Sequence, residues 1–176
     1  AEEIARKVTE SVVVGDPSAE GTTMGPVVSE IQFNKIQGLI EAGVAEGATV
    51  VTSGPGRPDG ISKGYFIRPT VFSGVNNDMT IAREEIFGPV LAMIPYETEE
   101  EAIEIANSTP FGLSASVWTK DIDRAMKISR TVEAGTIWIN TFMNGYAEVP
   151  FGGYKESGLG REMGTSAIDE FTELKT

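Results

Sequence analysis

The segment Glu84-Glu85-Ile86-Phe87-Gly88-Pro89-Val90 places two carboxylates, an aromatic ring and a Gly-Pro pair immediately before an apolar run. An ionised carboxylate accepts several hydrogen bonds and donates none, so a glutamate at the mouth of a strand suits paired hydroxyls such as those of a ribose. Gly-Pro sets a turn at that mouth. On residue type alone a solvated loop glutamate is the default reading of Glu85, and Phe87 serves equally well as a turn or core aromatic. A second region, Asn140 to Gly164, loses all periodicity and sets Phe142, Tyr146, Phe151 and Tyr154 among six glycines. A long irregular stretch of that kind in a compact domain is usually functional.

The chain holds no cysteine and no histidine. That removes thiolate nucleophiles, imidazole bases and the usual zinc ligands, leaving carboxylates, amines and hydroxyls with no obvious activating triad. Glu97, Glu99, Glu100 and Glu101 invite a metal reading. Carboxylates in a first helical turn also complement the helix dipole, and Thr98 with Glu101 has capping-box spacing, so no metal site is expected there. The formal net charge is -12, and the cations are scattered, which argues against nucleic acid and anionic membranes as partners. No apolar run approaches the roughly 20 residues of a membrane helix, and the chain opens on Ala1-Glu2-Glu3 rather than a basic and apolar leader, so a cytoplasmic protein is expected. The absence of an initiator Met suggests that translation starts elsewhere.

Several elements must position these groups. A helix is expected near Glu2 to Thr9, and another from Ser29, where Gln32 completes a capping box and Phe33, Ile36, Leu39, Ile40 and Val44 form an apolar stripe ending at Gly47. Strands are expected at Ala48 to Thr52, Phe66 to Phe72, Val90 to Tyr96, Ser114 to Trp118 and Thr136 to Ile139. Helices follow Thr98 and Asp121; the latter carries Ile122, Ala125, Met126, Ser129 and Val132 on one face and ends at Gly135, and a short helix near Thr165 to Phe171 closes the chain. This alternation predicts an α/β fold, an open and largely parallel sheet with flanking helices, sharing one core.

Several ordered motifs resemble the aldehyde dehydrogenase superfamily. Glu84-Glu85-Ile86-Phe87-Gly88-Pro89 is similar to a signature of that family. It is followed in family order by Asn107 with Pro110-Phe111-Gly112-Leu113, Lys120-Asp121, Ala134-Gly135, Asn140, and Pro150-Phe151-Gly152-Gly153-Tyr154-Lys155 running on to Gly160-Arg161-Glu162. The likeness extends from Gly15-Asp16-Pro17 and Met24-Gly25-Pro26 to Glu173-Leu174-Lys175-Thr176. It implies that residues 1–176 are part of a catalytic domain, with the dinucleotide-binding domain and the oligomerisation strands outside the chain.

By the same resemblance, Glu85 matches the glutamate that grips the nicotinamide ribose and Phe87 the aromatic beside the cofactor. The loop from Thr141 to Phe151 matches the substrate-tunnel wall, with Phe151 as the tunnel aromatic and Met143, Gly145 and Tyr146 as candidate lining. For those three a structural role is an equal alternative. Gly152, Gly153, Gly158 and Gly160 read as scaffold. Glu162 matches a glutamate near the catalytic region, where a proton relay competes with a salt bridge to Arg161 or Lys155.

The family attacks aldehydes with a cysteine thiolate, so the resemblance implies that the nucleophile lies upstream of residue 1. It further implies a parent enzyme that passes hydride to NAD or NADP, acts on a small-molecule aldehyde, and assembles as a homodimer or homotetramer. The isolated chain is expected to be inactive and to bind no cofactor tightly. The competing reading is a non-catalytic binding or assembly module that keeps this scaffold.

Overall fold

The computed structural model describes all residues, Ala1–Thr176. The chain is α/β, with mixed sheets, several helices and no closed barrel. The expectation of one shared core is corrected: the elements gather into two compact units, Ala1–Pro95 and Tyr96–Thr176. The strands likewise form three small sheets instead of one.

In the first unit, helix α1 (Glu2–Glu10) precedes helix α2 (Glu30–Ala45). Ser29 caps α2, its hydroxyl accepting from the Gln32 N–H at 3.2 Å. Gly47, at φ 94°, ends it, with Gly47 N–H donating to Val44 O and Ala48 N–H to Gly43 O. That is a Schellman stop, which requires the left-handed backbone glycine adopts without strain. Phe33, Ile36 and Ile40 are buried, whereas Val44 at the far end of the stripe is exposed.

Strand β1 (Thr49–Thr52) pairs antiparallel with β2 (Thr70–Ser73), and β2 pairs parallel with β3 (Val90–Ala92). The connection from β1 to β2 contains no helix, while β2 reaches β3 through helix α3 (Thr80–Arg83). Parallel neighbours need such a crossover, which is why the first pairing is antiparallel. Every residue of the central strand β2 is buried. β2 starts only at Thr70, not at Phe66, because Pro69 has no N–H for a ladder. Phe33, Ile36, Ile40, Ile67, Phe72, Ile81 and Ile86 share the core.

In the second unit, helix α4 (Glu99–Asn107) is capped by Thr98, whose hydroxyl accepts from Glu101 N–H at 3.1 Å. Short β4 (Phe111–Gly112) precedes β5 (Ser114–Val117), which runs through helix α5 (Ile122–Thr131) to its parallel partner β6 (Thr136–Ile139). Asp121 caps α5, accepting from Arg124 N–H at 3.1 Å. Ala125 is buried but Ile122 and Met126 are exposed, so the face is narrower than the periodicity predicts. Strand β7 (Tyr154–Lys155) pairs antiparallel with β4, and helix α6 (Ala167–Glu170) follows. Gly135 does not end α5, which stops at Thr131; any Cβ there would collide with the Gly152 carbonyl oxygen. No helix is long and apolar enough to cross a membrane.

Candidate functional site

The Glu85 loop begins where α3 ends. Glu84 N–H donates to Thr80 O at 2.9 Å, and Glu84 turns to extended backbone with ψ 143°. Ile86 then enters the core at 9% exposure, while Glu85 and Phe87 on either side of it are exposed, Phe87 at 71%. One buried anchor thus holds two outward side chains. Gly88 lies against α2 so closely that a Cβ would fall 2.5 Å from Ile36 Cδ1. Beyond it, Val90 N–H donates to Gly88 O at 2.7 Å and Thr70 N–H to Pro89 O at 2.9 Å, joining the turn to the sheet.

Phe87 has φ 53°, a left-handed conformation that is costly for a bulky side chain and survives only where the surroundings impose it. The capping box expected at the start of α2 forms only in part: Gln32 N–H donates to Ser29 Oγ, but the Gln32 side chain does not return to the cap. It instead donates from Nε2 to Ile86 O at 3.1 Å and Phe87 O at 2.9 Å. No sequence pattern signals such a contact across more than fifty residues.

In the second unit, Met143, Gly145, Tyr146 and Phe151 come together around one cleft of about 370 Å³. Ile137, Trp138, Val149, Pro150 and Met163 complete much of its apolar lining. That volume lies within the range of about 300–1,000 Å³ typical of small-molecule sites. The irregular loop is held by polar contacts: Trp138 Nε1–H donates to Asn144 O at 2.9 Å, Asn144 Nδ2–H to Thr141 Oγ1 at 2.9 Å, and Ser116 Oγ–H to Thr141 O at 2.6 Å. The Trp138 and Phe142 rings meet edge to face at 5.6 Å. Met143 at φ 60° and Asn140 at φ 55° are further left-handed non-glycine positions. Sequence reasoning singled out neither Trp138 nor Met163, since a strand tryptophan reads as core.

Glu162 is exposed, and its main chain pairs with Phe151. Of the two alternatives for its side chain, the salt bridge to Arg161 or Lys155 is not formed. Lys155 pairs with Glu133 at 2.8 Å and donates to the carbonyls of Asn107 and Thr109 at 2.7 and 3.2 Å. Arg161 donates to Gly153 O and Gly160 O at 3.0 and 2.7 Å and lies over the Tyr154 ring at 5.6 Å. Arg161 is thus taken up by carbonyls of the glycine-rich turns, and Lys155 by Glu133 and the carbonyls at the end of α4 and just past it.

The acidic cluster of α4 is occupied by protein contacts. Glu99 pairs with Lys127 at 2.7 Å and Arg124 at 2.9 Å, and Glu101 accepts from Glu97 N–H at 2.7 Å. The Glu100 carboxyl is held below its ordinary value by its own backbone N–H first, then by Lys127. The Lys127 ammonium is held above its ordinary value by Glu99 first, then Glu100. No group of three or more carboxylates is arranged to hold a metal ion. A larger groove of about 600 Å³ runs between α4 and α5 over β5, lined by apolar residues such as Ile103, Ala115, Trp118 and Ile128 together with Glu99 and Arg124, which are paired with each other at 2.9 Å.

Glu85 and Phe87 thus present an exposed carboxylate, which can accept hydrogen bonds, and an exposed ring face.

The profile of the Aldehyde dehydrogenase family matches residues 1–176. A Staphylococcus saprophyticus protein named as a member of that activity class is 51% identical over 165 residues, covering 94% of this chain and 34% of its own length. Aldehyde dehydrogenase C of Pseudomonas syringae, solved as a mutant with NAD+ and octanal, superposes with TM-score 0.93 at 46% identity, covering 98% of this chain and 35% of its own. Mycobacterium tuberculosis aldehyde dehydrogenase, solved with NAD+, gives TM-score 0.90 at 49% identity over 96% of this chain and 34% of its own. The chain therefore spans about a third of the length of these relatives, and with a family match from its first residue to its last it belongs to the aldehyde dehydrogenase family.

Proposed function

We propose that this chain forms part of the catalytic domain of an enzyme that oxidises an aldehyde to a carboxylic acid with NAD+ as the hydride acceptor. The observation that carries the reading is the convergence of Met143, Gly145, Tyr146 and Phe151 on one apolar cleft in a chain of this family. The organic part of an aldehyde would lie in that cleft, excluded from water by the Phe151 and Tyr146 rings. Two relatives solved with NAD+, one also with octanal, support dinucleotide and aldehyde as ligands.

Glu85 would accept both ribose hydroxyls of the cofactor, and Phe87 would present its ring beside them. The fit rests on their exposure around a buried Ile86, which leaves the carboxylate and the ring open to a ligand while the backbone is anchored. The bound dinucleotide supplies the hydride acceptor. This chain's residues bind and orient it. Glu162, exposed and tied to Phe151 only through main chain, would be available to hold a proton near the cleft. A thiolate nucleophile is not among the 176 residues, so the attacking group would come from the rest of a longer protein, and the chain by itself would not turn over. NADP as an alternative cofactor and assembly as a homodimer or homotetramer belong to the same proposal.

The test compares protein expressed from the full reading frame with the purified chain. The longer protein should reduce NAD+ in the presence of an aldehyde, and Glu85→Gln should raise the KM for NAD+ at least fivefold. NADH production by the chain alone would refute its dependence on an outside nucleophile. A reading frame that encodes no cysteine would favour a non-catalytic module instead.

A further inference from the structure

Gln32 lies more than fifty positions from the Glu85 loop, yet its side-chain amide meets two consecutive carbonyls of that loop. We propose that Gln32 is a positioning residue that sets the Glu85–Phe87 loop in its ligand-ready conformation before the dinucleotide arrives. The inference rests on the ribose-binding role proposed above for Glu85.

The geometry leaves Gln32 little freedom at either end. Its own N–H is held by the Ser29 cap at 3.2 Å, so its backbone is locked into the first turn of α2. Its Nε2 carries two hydrogens, and the two acceptors Ile86 O and Phe87 O lie at 3.1 and 2.9 Å. A flipped amide would point Oε1 at two carbonyl oxygens, so the orientation is determined by the partners.

The two acceptors are also the informative pair. Each peptide unit is planar, so holding Ile86 O fixes the plane before the Phe87 Cα and holding Phe87 O fixes the plane after it. Together they determine the φ and ψ of Phe87, the residue found at φ 53°. A bulky residue released from such a clamp returns to negative φ, rotating its ring and the backbone that leads to Glu85. The buried Ile86 side chain and the Gly88 contact with Ile36 secure the loop laterally. Holding the loop in advance removes the cost of ordering it upon binding, which appears as affinity.

The experiment uses protein expressed from the full reading frame, with Gln32→Met, which keeps the length of the side chain and removes both donors, and Glu85→Gln as the reference. Two readouts are taken: the rate of chymotryptic cleavage after Phe87 without cofactor, and the dissociation constant of NAD+ by fluorescence titration. Gln32→Met should accelerate cleavage after Phe87 at least fivefold, leave cleavage after Phe142 unchanged, and weaken NAD+ about tenfold, with kcat at saturation within twofold. If Gln32→Met leaves NAD+ affinity unchanged while Glu85→Gln weakens it, the positioning role is overturned and the ribose reading stands, whatever the cleavage rate. Faster cleavage after Phe142 as well would mean general destabilisation and would overturn the local clamp. If Glu85→Gln itself leaves NAD+ binding unchanged, the ribose reading fails and takes the cofactor role of Gln32 with it.

Discussion

Phe151 and Glu162 exchange both main-chain hydrogen bonds, Phe151 N–H to Glu162 O at 2.7 Å and Glu162 N–H to Phe151 O at 2.8 Å. An isolated antiparallel bridge thus closes the irregular segment between them and seats the Phe151 ring in the wall of the cleft. The carboxylate of Glu162 takes no part in that pairing. Glu162→Gln should therefore change stability by less than about 0.5 kcal/mol in thermal melts. Glu162→Pro, which removes the N–H, should cost about 1–3 kcal/mol by leaving Phe151 O without its donor. Equal melting temperatures for the two variants would contradict this division between main chain and side chain.

Trp138 is the link between strand β6 and the cleft loop. Trp138→Phe keeps most of the ring and removes the bond to Asn144 O, so about 1 kcal/mol of stability should be lost. On the proposed function, protein expressed from the full reading frame should show the KM for aldehyde rising more than the KM for NAD+, because the disturbed loop carries Met143, Gly145 and Tyr146. A change confined to the NAD+ KM would argue against the cleft as the aldehyde site.

Gly145 lines the cleft, and a Cβ built on it meets nothing within 4 Å. A side chain there extends into open space. Gly145→Leu should fold normally, with a melting temperature close to that of the parent sequence, and should shift kcat/KM toward shorter aldehydes. An unchanged chain-length profile across a series of straight-chain aldehydes would place the substrate elsewhere.

Gly135 presents the opposite case. Its Cβ position is already taken by the Gly152 carbonyl, a backbone atom that cannot rotate away. Gly135→Ala should cost well over about 2 kcal/mol, and the soluble yield or thermal transition of the second unit should collapse. A melt indistinguishable from the parent would show that the two backbone segments are not in contact.

The charges joining α4 to α5 set a pH window. Lys127, raised from 10.5, contributes fully below that value, and its contribution is lost as pH climbs through the folded pKa. Glu100, lowered from 4.5, contributes fully above that value and loses its contribution as pH falls through the folded pKa. Between those limits the contacts should be constant, and because the groups are exposed they should weaken in high salt. Lys127→Met should reduce the alkaline loss of stability relative to the parent. Melts recorded across pH at low and high salt would reveal it, and identical alkaline limbs for the two proteins would exclude Lys127 as the source.

Much of this was determined locally. The Ser29, Thr98 and Asp121 caps, the Gly47 stop and the apolar stripe through Phe33, Ile36 and Ile40 are short-range signals, because hydrogen bonding within one turn and periodic burial depend on neighbours in the chain. The ordered motifs carried the family for the same reason: residue types at given spacings survive without coordinates. Tertiary structure alone decided the rest. Two units formed where periodicity suggested one core, because sequence patterns mark which face is apolar but not which other face it will meet. The amide of Gln32 on Ile86 and Phe87 and the pairing of Lys155 with Glu133 in place of Glu162 join residues distant in the chain. Such bonds depend on which donors and acceptors the packed backbone brings within about 3 Å of each other, a distance no linear spacing encodes.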